Sequence, residues 1–440
     1  MDANTDTNGD VSEQNGQDGW GVTRRTLMAG VGAVTGLGAL VTPTRAQQAG
    51  SAHGSGATFS VYRANPGYRV ASAPAGNVEF TERSEDNAER AFQYAFDNLP
   101  DGGTVVASAD TFQFGGPATL GDGTALVGQD GTRFVASQVG TRETDFPGPD
   151  QQNPLAVGHD LIRVRGNDAA VVGVTFDAAG TQLDNHAIQA DDCEGLLVAD
   201  SRTVDGFQMA ISFSGCRNVL VRGNEVKNPN WYGITARAAP AGGDLDLKRS
   251  SDVVVAGNRV SGMKFNNIAT YNVSNFTVVG NLTFDGGHSL IACSPAQQGA
   301  IVGNVCRNLE KFGGDPGGEA GIEIEYKETH ITDAVADTPE ETSFDVTITG
   351  NQVENCEVGF IARTVPADPD DEESARREKR PYSFTVTGNS FGGCEDAGIR
   401  VRSGESAVIA TNTVRDAGTD IDIATEFTEG IQVGLNATRG

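Results

Sequence analysis

Lysine, tryptophan and long hydrophobic runs are scarce in this chain of 440 residues. Only six lysines and two tryptophans occur, and 32 basic residues face 59 acidic ones, which gives a formal charge of −27 at pH 7. This charge argues against nucleic acids and anionic membranes as partners. It favours solubility where salt shortens the Debye length to about 3 Å at 1 M. We expect a salt-adapted surface, and the competing interpretation is an ordinary acid-rich secreted protein.

One apolar stretch, Leu27 to Val41, is too short and too weakly hydrophobic for a stable membrane span. It follows Arg24-Arg25, in a context that resembles a twin-arginine export motif. Thr44-Arg45-Ala46 then offers small residues for cleavage. We predict a targeting segment at residues 1–46, a linker at 47–74 and a mature protein, without a membrane span, that is secreted or on the cell surface.

The rest of the chain is periodic, with a base repeat of about 23 residues. Strands centred on an apolar residue recur, and the centres are Ile188, Ile211, Ile234, Ile268, Ile291, Ile322, Phe360, Ile399 and Ile421. A second strand in each repeat ends in Gly-Asn, and these asparagines are Asn224, Asn258, Asn281, Asn304, Asn351 and Asn389. A fixed short period with occasional insertions predicts a solenoid with one coil per repeat. Glycine before asparagine permits the left-handed bend between strands.

This pattern resembles the right-handed parallel β-helix superfamily typified by pectate lyases. The resemblance implies an all-β solenoid over residues 75–440, with an N-terminal capping helix at about 86–99 that starts in a capping box of Asp86 and Glu89. Loop insertions are expected at about 238–250, 311–319, 328–343 and 365–381. The export signal and the acidic, lysine-poor body resemble exported haloarchaeal proteins. The resemblance implies a polysaccharide or other glycan as the partner, and we expect a monomer.

The six cysteines lack the close pairs of a zinc site, so no structural metal is expected. Cys193 and Cys216 occupy equivalent positions of neighbouring repeats, and so do Cys356 and Cys394. Equivalent positions on adjacent coils lie about 4.8 Å apart, which a disulfide can bridge. Each pair is either a disulfide formed after export or a stack of free thiols.

Outward positions on the Ile-centred strands define two patches. The first combines Arg237, Tyr271 and His288 with Trp231, Tyr232, Lys264 and Phe265. Aromatic faces stack on sugar rings, and a cation neutralises a uronate carboxylate, so that a nearby base can begin β-elimination. Arg237 would be the neutralising group, and Tyr271 or His288 the base or acid. The alternative is a solvated arginine beside ordinary surface aromatics.

The second patch contains Glu323 and Glu325, with Lys327 and the nearby arginines Arg363, Arg400 and Arg402. Two carboxylates on one strand face lie about 6.8 Å apart at the backbone. They suit the acid and base of an inverting hydrolase, a calcium site or a surface ion-pair network. No other cofactor is expected.

Asp191 lies near His186 in an aspartate-containing repeat similar to that of polygalacturonases, and we include it among the substrate-binding candidates. The Gly-His-Gly and Arg-Ile-Lys segments of that family are absent, as are the Asp-Pro-His repeats of mannuronan epimerases. We therefore predict a secreted polysaccharide lyase-like enzyme. The alternatives are a non-catalytic cell-surface carbohydrate-binding or adhesion protein and an inverting glycoside hydrolase.

Overall fold

The computed structural model describes residues 57–137, 140–142, 155–180, 182–183, 185–236, 248–309, 320–331, 338–366 and 372–439. The N-terminal elements are β1 Ala57–Arg63, β2 Tyr68–Ala73, β3 Asn77–Glu82, α1 Ala88–Asp97, β4 Gly103–Ala107 and β5 Thr111–Phe114. The next elements are β6 Ala118–Leu120, β7 Thr124–Gly128, β8 Arg133–Ala136, β9 Gly140–Arg142, β10 Leu155–Val157, β11 Ile162–Val164, β12 Ala170–Val172, β13 Thr175–Asp177 and β14 Gln182–Leu183.

The central strands are β15 His186–Asp191, β16 Leu197–Ala199, β17 Arg202–Val204, β18 Met209–Ser214, β19 Arg217–Arg222, β20 Glu225–Lys227, β21 Tyr232–Ala236, β22 Ser250–Ala256, β23 Arg259–Ser261, β24 Ile268–Val279, β25 Leu282–Gly286, β26 Ser289–Val302 and β27 Val305–Leu309.

The C-terminal elements are β28 Ala320–Lys327, β29 Phe344–Thr349, β30 Gln352–Glu354, β31 Val358–Val365, α2 Glu372–Glu378, β32 Thr385–Thr387, β33 Ser390–Gly392, β34 Ala397–Val401, β35 Gly404–Glu405, β36 Val408–Ala410, β37 Thr413–Arg415, β38 Thr419–Ile423, β39 Thr428–Glu429, β40 Gln432–Val433 and β41 Ala437–Arg439, with 3₁₀ turns at Glu328–His330 and Pro339–Glu341.

Successive strands stack into three parallel ladders, so that each coil contributes one strand to each ladder. The first ladder runs β6, β11, β15, β18, β21, β24, β26, β28, β31, β34 and β38. Its register pairs Ile188 with Ile211 and Ile211 with Ile234, as the repeat predicts. The strand centres from Ile188 to Ile399 are buried, and full burial of such a side chain contributes about 1.5–3 kcal/mol. The all-β solenoid is therefore confirmed.

The Gly-Asn turns form a continuous ladder of asparagine side chains. The Oδ1 of Asn258 accepts hydrogen bonds from the backbone N of Asn224 at 2.9 Å and from its Nδ2 at 3.0 Å. The same pattern continues from coil to coil as far as Asn436. Gly223, before the first of these asparagines, has φ of +66°, a conformation that glycine adopts without strain.

The N-terminal end differs from the expectation in two details. Residues 57–73, which we expected in a linker, form β1 and β2, and β1 pairs with β4 of the first coil. Helix α1 packs Phe92 against the core phenylalanines Phe112 and Phe134. The expected capping box is wrong: Asn87 is the N-cap residue and makes no side-chain cap bond. Glu89 instead accepts a 2.9 Å hydrogen bond from the backbone N of Gly115, directly after β5, so its side chain binds the first coil and not the start of its own helix.

The predicted targeting segment at 1–46, residues 47–56 of the linker and the insertion at 311–319 lie outside the described residues. So does most of the insertion at 238–250. Only its residues 248–250 are described, and strand β22 begins at Ser250. The insertion at 328–343 carries the two 3₁₀ turns, and that at 365–381 carries α2. No helix in the described part of the chain is long and apolar enough to cross a membrane.

All six cysteines are buried and free. The Sγ atoms of Cys193 and Cys216 lie 2.9 Å apart on neighbouring coils. Cys356 and Cys394 are each almost fully buried, and burial raises the pKa of both thiols. The structure thus has stacked thiols where the sequence left a choice between thiols and disulfides.

Candidate functional site

The candidate site lies on the outer face of the first ladder, where the two predicted patches meet. The register places Asp191 beside Ser214, Tyr271 beside Ser294, and Glu325 beside Arg363, in the outward column that the repeat predicts. His288 Nδ1 lies 3.8 Å from Glu323 Oε2, which joins the aromatic patch to the carboxylate patch. The two patches therefore form one cluster.

The centre of this cluster is a pair of buried carboxyl groups on β28. Glu323 is 0% exposed and Glu325 is 1% exposed. Arg363, one coil further on, reaches both: its Nε contacts Glu323 Oε1 and lies 3.4 Å from Glu325 Oε2. The Ser289 hydroxyl, one coil back, donates a 2.7 Å hydrogen bond to Glu323 Oε2. Neighbouring coils thus hold Glu323 from both sides.

These contacts separate the pKa values of the two carboxyl groups. Burial by itself would raise the pKa of Glu323, but the charge of Arg363, with smaller contributions from His288 and Ser289, lowers it to about 2. Burial and then the negative charge of Glu323 raise the pKa of Glu325 to about 8. At neutral pH the pair therefore holds one proton, carried by Glu325.

Aromatic rings form a wall beside the carboxyl pair. The Trp231 and Phe265 rings are 5.5 Å apart, those of Tyr232 and Tyr271 are 5.9 Å apart, and Phe265 stacks on His288 at 6.1 Å. Burial raises the pKa of Tyr232 to about 12 and that of Tyr271 well above 10. Both phenols are therefore proton donors at neutral pH.

His330 belongs to this site, although the repeat pattern did not indicate it. Its ring lies 4.3 Å from that of Tyr271, and its Nδ1 lies 3.9 Å from Glu325 Oε1. Burial lowers its pKa well below 6.5, so the ring is neutral at pH 7. His330 ends the 3₁₀ turn after β28, within an insertion, where no periodicity assigns a residue to a face. The only sequence signal was that a histidine is rare in this chain.

The expectation of aromatic and charged groups on an exposed face is wrong for those at the centre. Tyr271, His288 and Arg363 are 5%, 6% and 3% exposed, whereas Trp231, Tyr232 and Phe265 are half-buried. The surface ion-pair interpretation of Glu323 and Glu325 fails for the same reason. The ring of His330 packs against that of Tyr271. Small outward side chains on the same face are buried as well; these are Ser212, Thr235, Ala269, Ala292 and Ser294.

Two other predicted residues lie away from this centre, and Arg237 is outside the described residues. Lys264 is half-buried next to Phe265, beside the aromatic wall. Asp191 lies on β15, five ladder steps before β28, and therefore does not meet Glu323 and Glu325. It accepts a 2.8 Å hydrogen bond from Gln189 Nε2.

The carboxyl pair does not fit a calcium site. The guanidinium of Arg363 occupies the position between the carboxylates that a cation would take. Calcium takes six to eight oxygen ligands, and the described residues contain no group of three or more His, Cys, Asp or Glu side chains that could hold a metal ion.

Comparison with known proteins identifies the architecture. Residues 160–332 match the family described as "Right handed beta helix region". The fold is similar to that of an exopolygalacturonase from Thermotoga maritima, at 13% identity over 80% of this chain and 88% of that one, with a TM-score of 0.50. PfbA, a surface adhesin of Streptococcus pneumoniae, matches at 15% identity over 80% and 87% of the two chains, with a TM-score of 0.53.

A double mutant of the periplasmic alginate epimerase AlgG has a comparable fold and matches at 11% identity over 76% of this chain and 75% of that one, with a TM-score of 0.50. No curated protein sequence matches this chain. At these identities the similarity concerns the fold, which serves an enzyme and an adhesin alike. The chain is therefore a right-handed parallel β-helix.

Proposed function

We propose that this protein is a polysaccharide-active enzyme that hydrolyses glycosidic bonds with Glu325 as acid and Glu323 as base or nucleophile. The observation that carries the proposal is the buried carboxyl pair on β28, which Arg363 bridges: its surroundings lower the pKa of Glu323 and raise that of Glu325. Environments that push two neighbouring pKa values apart mark the acid and the base of a site.

In this mechanism the Glu325 proton passes to the glycosidic oxygen as the bond from that oxygen to the anomeric carbon breaks. Water supplies the new oxygen at the anomeric carbon, and its proton goes to a carboxylate of the pair. Arg363 and Ser289 keep Glu323 ionised through their contacts with its two oxygens. The rings of Trp231, Tyr232 and Phe265, which are the half-buried part of the aromatic wall, would stack on a sugar.

The distance between the two carboxyl groups bears on the stereochemistry of hydrolysis. Inverting enzymes separate the two groups by about 6.5–9.5 Å, and retaining enzymes by about 5–5.5 Å. A single atom, Arg363 Nε, contacts Glu323 Oε1 and lies 3.4 Å from Glu325 Oε2, so these two oxygens are closer together than the inverting spacing. This favours Glu323 as a nucleophile over the inverting arrangement that the sequence suggested. Glu323 would bond to the anomeric carbon as the glycosidic bond breaks, and water would then break that new bond and return a proton to Glu325.

The lyase that we predicted from the sequence has less support than the hydrolase. A lyase needs a cation that is available to a uronate carboxylate, whereas Arg363 is already paired with Glu323. The base would be Tyr271 or His288, but the raised pKa of Tyr271 keeps its proton on at neutral pH. Arg237 stays a proposal, since it lies outside the described residues.

A second candidate function is carbohydrate binding or adhesion without catalysis. It is favoured by the burial of the carboxyl pair, whose two side chains are at most 1% exposed. A buried, arginine-bridged pair is also a way to fix the stacking of neighbouring coils, without any substrate. We further propose export through the twin-arginine route, a salt-adapted surface and a monomeric state.

The test uses the purified protein at high salt with a panel of neutral and uronate polysaccharides. New reducing ends report hydrolysis, and the absorbance of unsaturated products reports elimination. Glu325→Gln should abolish the release of reducing ends. The matched control is Glu354→Gln, because Glu354 lies on β30, outside the first ladder, and pairs with Arg307 and Arg415.

Three results would count against the hydrolase. Unsaturated products would make the protein a lyase. Glycan binding without turnover of any polymer would make it a binding protein. Equal activity of Glu325→Gln and the wild-type protein would remove Glu325 from the chemistry.

A further inference from the structure

Four asparagines of this chain begin a sequon, the sequence Asn-x-Ser or Asn-x-Thr whose amide nitrogen accepts N-linked glycan in exported proteins. They are Asn272, Asn275, Asn281 and Asn436. Neither the solenoid repeat nor the proposed hydrolysis gives the serine or threonine of a sequon a role. All four asparagines are described, so their surroundings decide which amide nitrogen another molecule can reach.

Of these four asparagines, only Asn275 is exposed. Asn272 and Asn281 are each 1% exposed, and Asn436 is half-buried. Asn275 lies in the part of β24 that pairs with β22 in the second ladder, and its φ is +55°. Asparagine tolerates this left-handed conformation. The next residue, Phe276, is buried in the core and keeps Asn275 at the surface.

Asn275 also has an N–H to spare. A side-chain amide carries two N–H groups, and glycosylation replaces one of them by a bond to sugar. With the described residues, Asn275 Nδ2 donates a single hydrogen bond, to Asp252 Oδ1 of the preceding coil. A sugar can therefore take the place of the second N–H, while the first keeps its bond to Asp252.

The amide nitrogen of Asn281 has no such freedom. Its Nδ2 donates to the backbone O of Val255 at 2.9 Å and to Asn304 Oδ1 at 3.0 Å, so both N–H groups are used inside the asparagine ladder. A glycan on Asn281 would remove one of these bonds and place a sugar where no solvent reaches.

Asn436 and Asn272 are excluded for related reasons. Asn436 Nδ2 donates to the backbone O of Gly434 at 3.0 Å and to that of Ile409 at 3.3 Å, so both of its N–H groups are in use. Asn272 is enclosed, and its Oδ1 accepts a 3.3 Å hydrogen bond from Arg249 Nε. The folded protein thus presents one acceptor out of four.

The buried sequons also fix the order of events. In an unfolded chain all four asparagines are open, and a glycan on Asn272 or Asn281 would be incompatible with the packed coils. The fold therefore tolerates N-glycosylation only when folding comes first. Export of the folded chain, which is the proposed twin-arginine route, provides that order.

We propose that Asn275 is an N-glycosylation site that is modified after folding, and that the glycan donor is an oligosaccharide carried on a polyprenyl phosphate lipid. Nδ2 forms a bond to the anomeric carbon of the first sugar as the bond from that carbon to the carrier phosphate breaks. The phosphate leaves with the bonding electrons, and the amide gives one proton to a base of the transferase. This inference rests on the proposed export and is independent of hydrolysis.

The test expresses the chain with its own N-terminal segment in a salt-adapted archaeal host that N-glycosylates exported proteins. Fragmentation mass spectrometry assigns each glycan to an asparagine, and we expect one glycan, on Asn275. Thr277→Val removes the hydroxyl of this sequon and should lower the mass of the protein by that of one glycan. The matched control is Ser274→Ala, which removes the hydroxyl of the Asn272 sequon and should leave the glycan in place.

Exported protein that carries no glycan on Asn275 would overturn the site and leave the export proposal intact. A glycan on any of the other three asparagines would also overturn the inference. If the protein stays inside the cell, the export proposal fails, and the site is decided in vitro with the purified folded protein, an archaeal oligosaccharide transferase and its lipid-linked donor. A glycan on Asn275 then supports the site, and an unmodified protein overturns it.

The order of folding and glycosylation has a separate test. Replacing the N-terminal segment by a signal that exports unfolded chains should put glycan on Asn272 or Asn281 and lower the yield of folded protein several-fold. Ser274→Ala together with Thr283→Val removes both buried sequons and should restore the yield. An unchanged glycan pattern and yield with the new signal would overturn the claim that folding protects these two asparagines.

Discussion

Ser289 donates a 2.7 Å hydrogen bond to Glu323 Oε2 across neighbouring coils, and both side chains are 0% exposed. Ser294, on the same strand as Ser289, is equally buried, but its hydroxyl makes no hydrogen bond with the described residues. The two serines are therefore a matched pair, one bonded to a charge and one not.

We expect Ser289→Ala to destabilise the protein by about 1.5–3 kcal/mol, the usual range for a hydrogen bond to a charged group. Ser294→Ala should be neutral or stabilising, because it removes a buried hydroxyl that has no such bond. Urea unfolding at fixed salt measures both. Equal effects of the two substitutions would show that Ser289 does not support Glu323.

Arg363→Met should be strongly destabilising, by about 3–5 kcal/mol, because it leaves an uncompensated buried carboxylate. Adding Glu323→Gln to Arg363→Met removes that charge and should recover most of the loss. Thermal unfolding of the two variants decides this, and the double variant remains informative if the single one fails to fold. A double variant as unstable as the single one would contradict a charge effect and indicate lost packing.

Glu325 should make the folded state less stable as the pH rises. Its pKa is raised to about 8 from an ordinary 4.5, so the folded protein binds this proton more tightly than the unfolded chain. The stabilisation is complete below about pH 4.5 and is lost as the pH rises through 8. Glu325→Gln keeps a neutral group there, and its stability should be flatter between these values than that of the wild-type protein or of Glu354→Gln. If the stability of Glu325→Gln falls with pH as steeply as that of the wild-type protein, Glu325 is already ionised in the folded protein.

Cys193 and Cys216 should form a disulfide on mild oxidation with diamide, because their Sγ atoms lie 2.9 Å apart on neighbouring coils. Mass spectrometry of peptides from the oxidised protein should find this pair linked, with Cys293 and Cys306 still alkylated as thiols. Cys216→Ser should leave Cys193 unlinked. Alkylation of all six cysteines after oxidation and unfolding would contradict this prediction.

The thermal midpoint should rise as KCl is added, because the net charge of −27 repels itself most strongly at low salt. A variant in which the exposed residues Glu79 and Glu426 are replaced by lysine should show a smaller rise. Circular dichroism across a salt series measures both. A midpoint that does not depend on salt would support the alternative of an ordinary acidic secreted protein.

The repeat alone determined the solenoid, because every coil obeys the same local rules. Inward positions such as Ile211 must be apolar to be buried, and Gly223 before Asn224 must permit a left-handed turn, so the period could be read from the sequence. The outward column that holds Tyr271 and Glu325 followed from the same alternation. The N-terminal linker was misassigned because β1 pairs with β4 outside the repeat, where no period applies.

The composition of the site was decided only by the tertiary structure. His330 enters from an insertion, and its contacts with Tyr271 and Glu325 depend on the path of a 3₁₀ turn. The burial of Glu323 and Glu325 depends on what covers the outer face of the ladder. The alternation of inward and outward side chains along a strand does not predict this. The separation of their pKa values arises from that burial together with Arg363 of the next coil, because in a dry environment one neighbouring charge decides which carboxyl group keeps the proton.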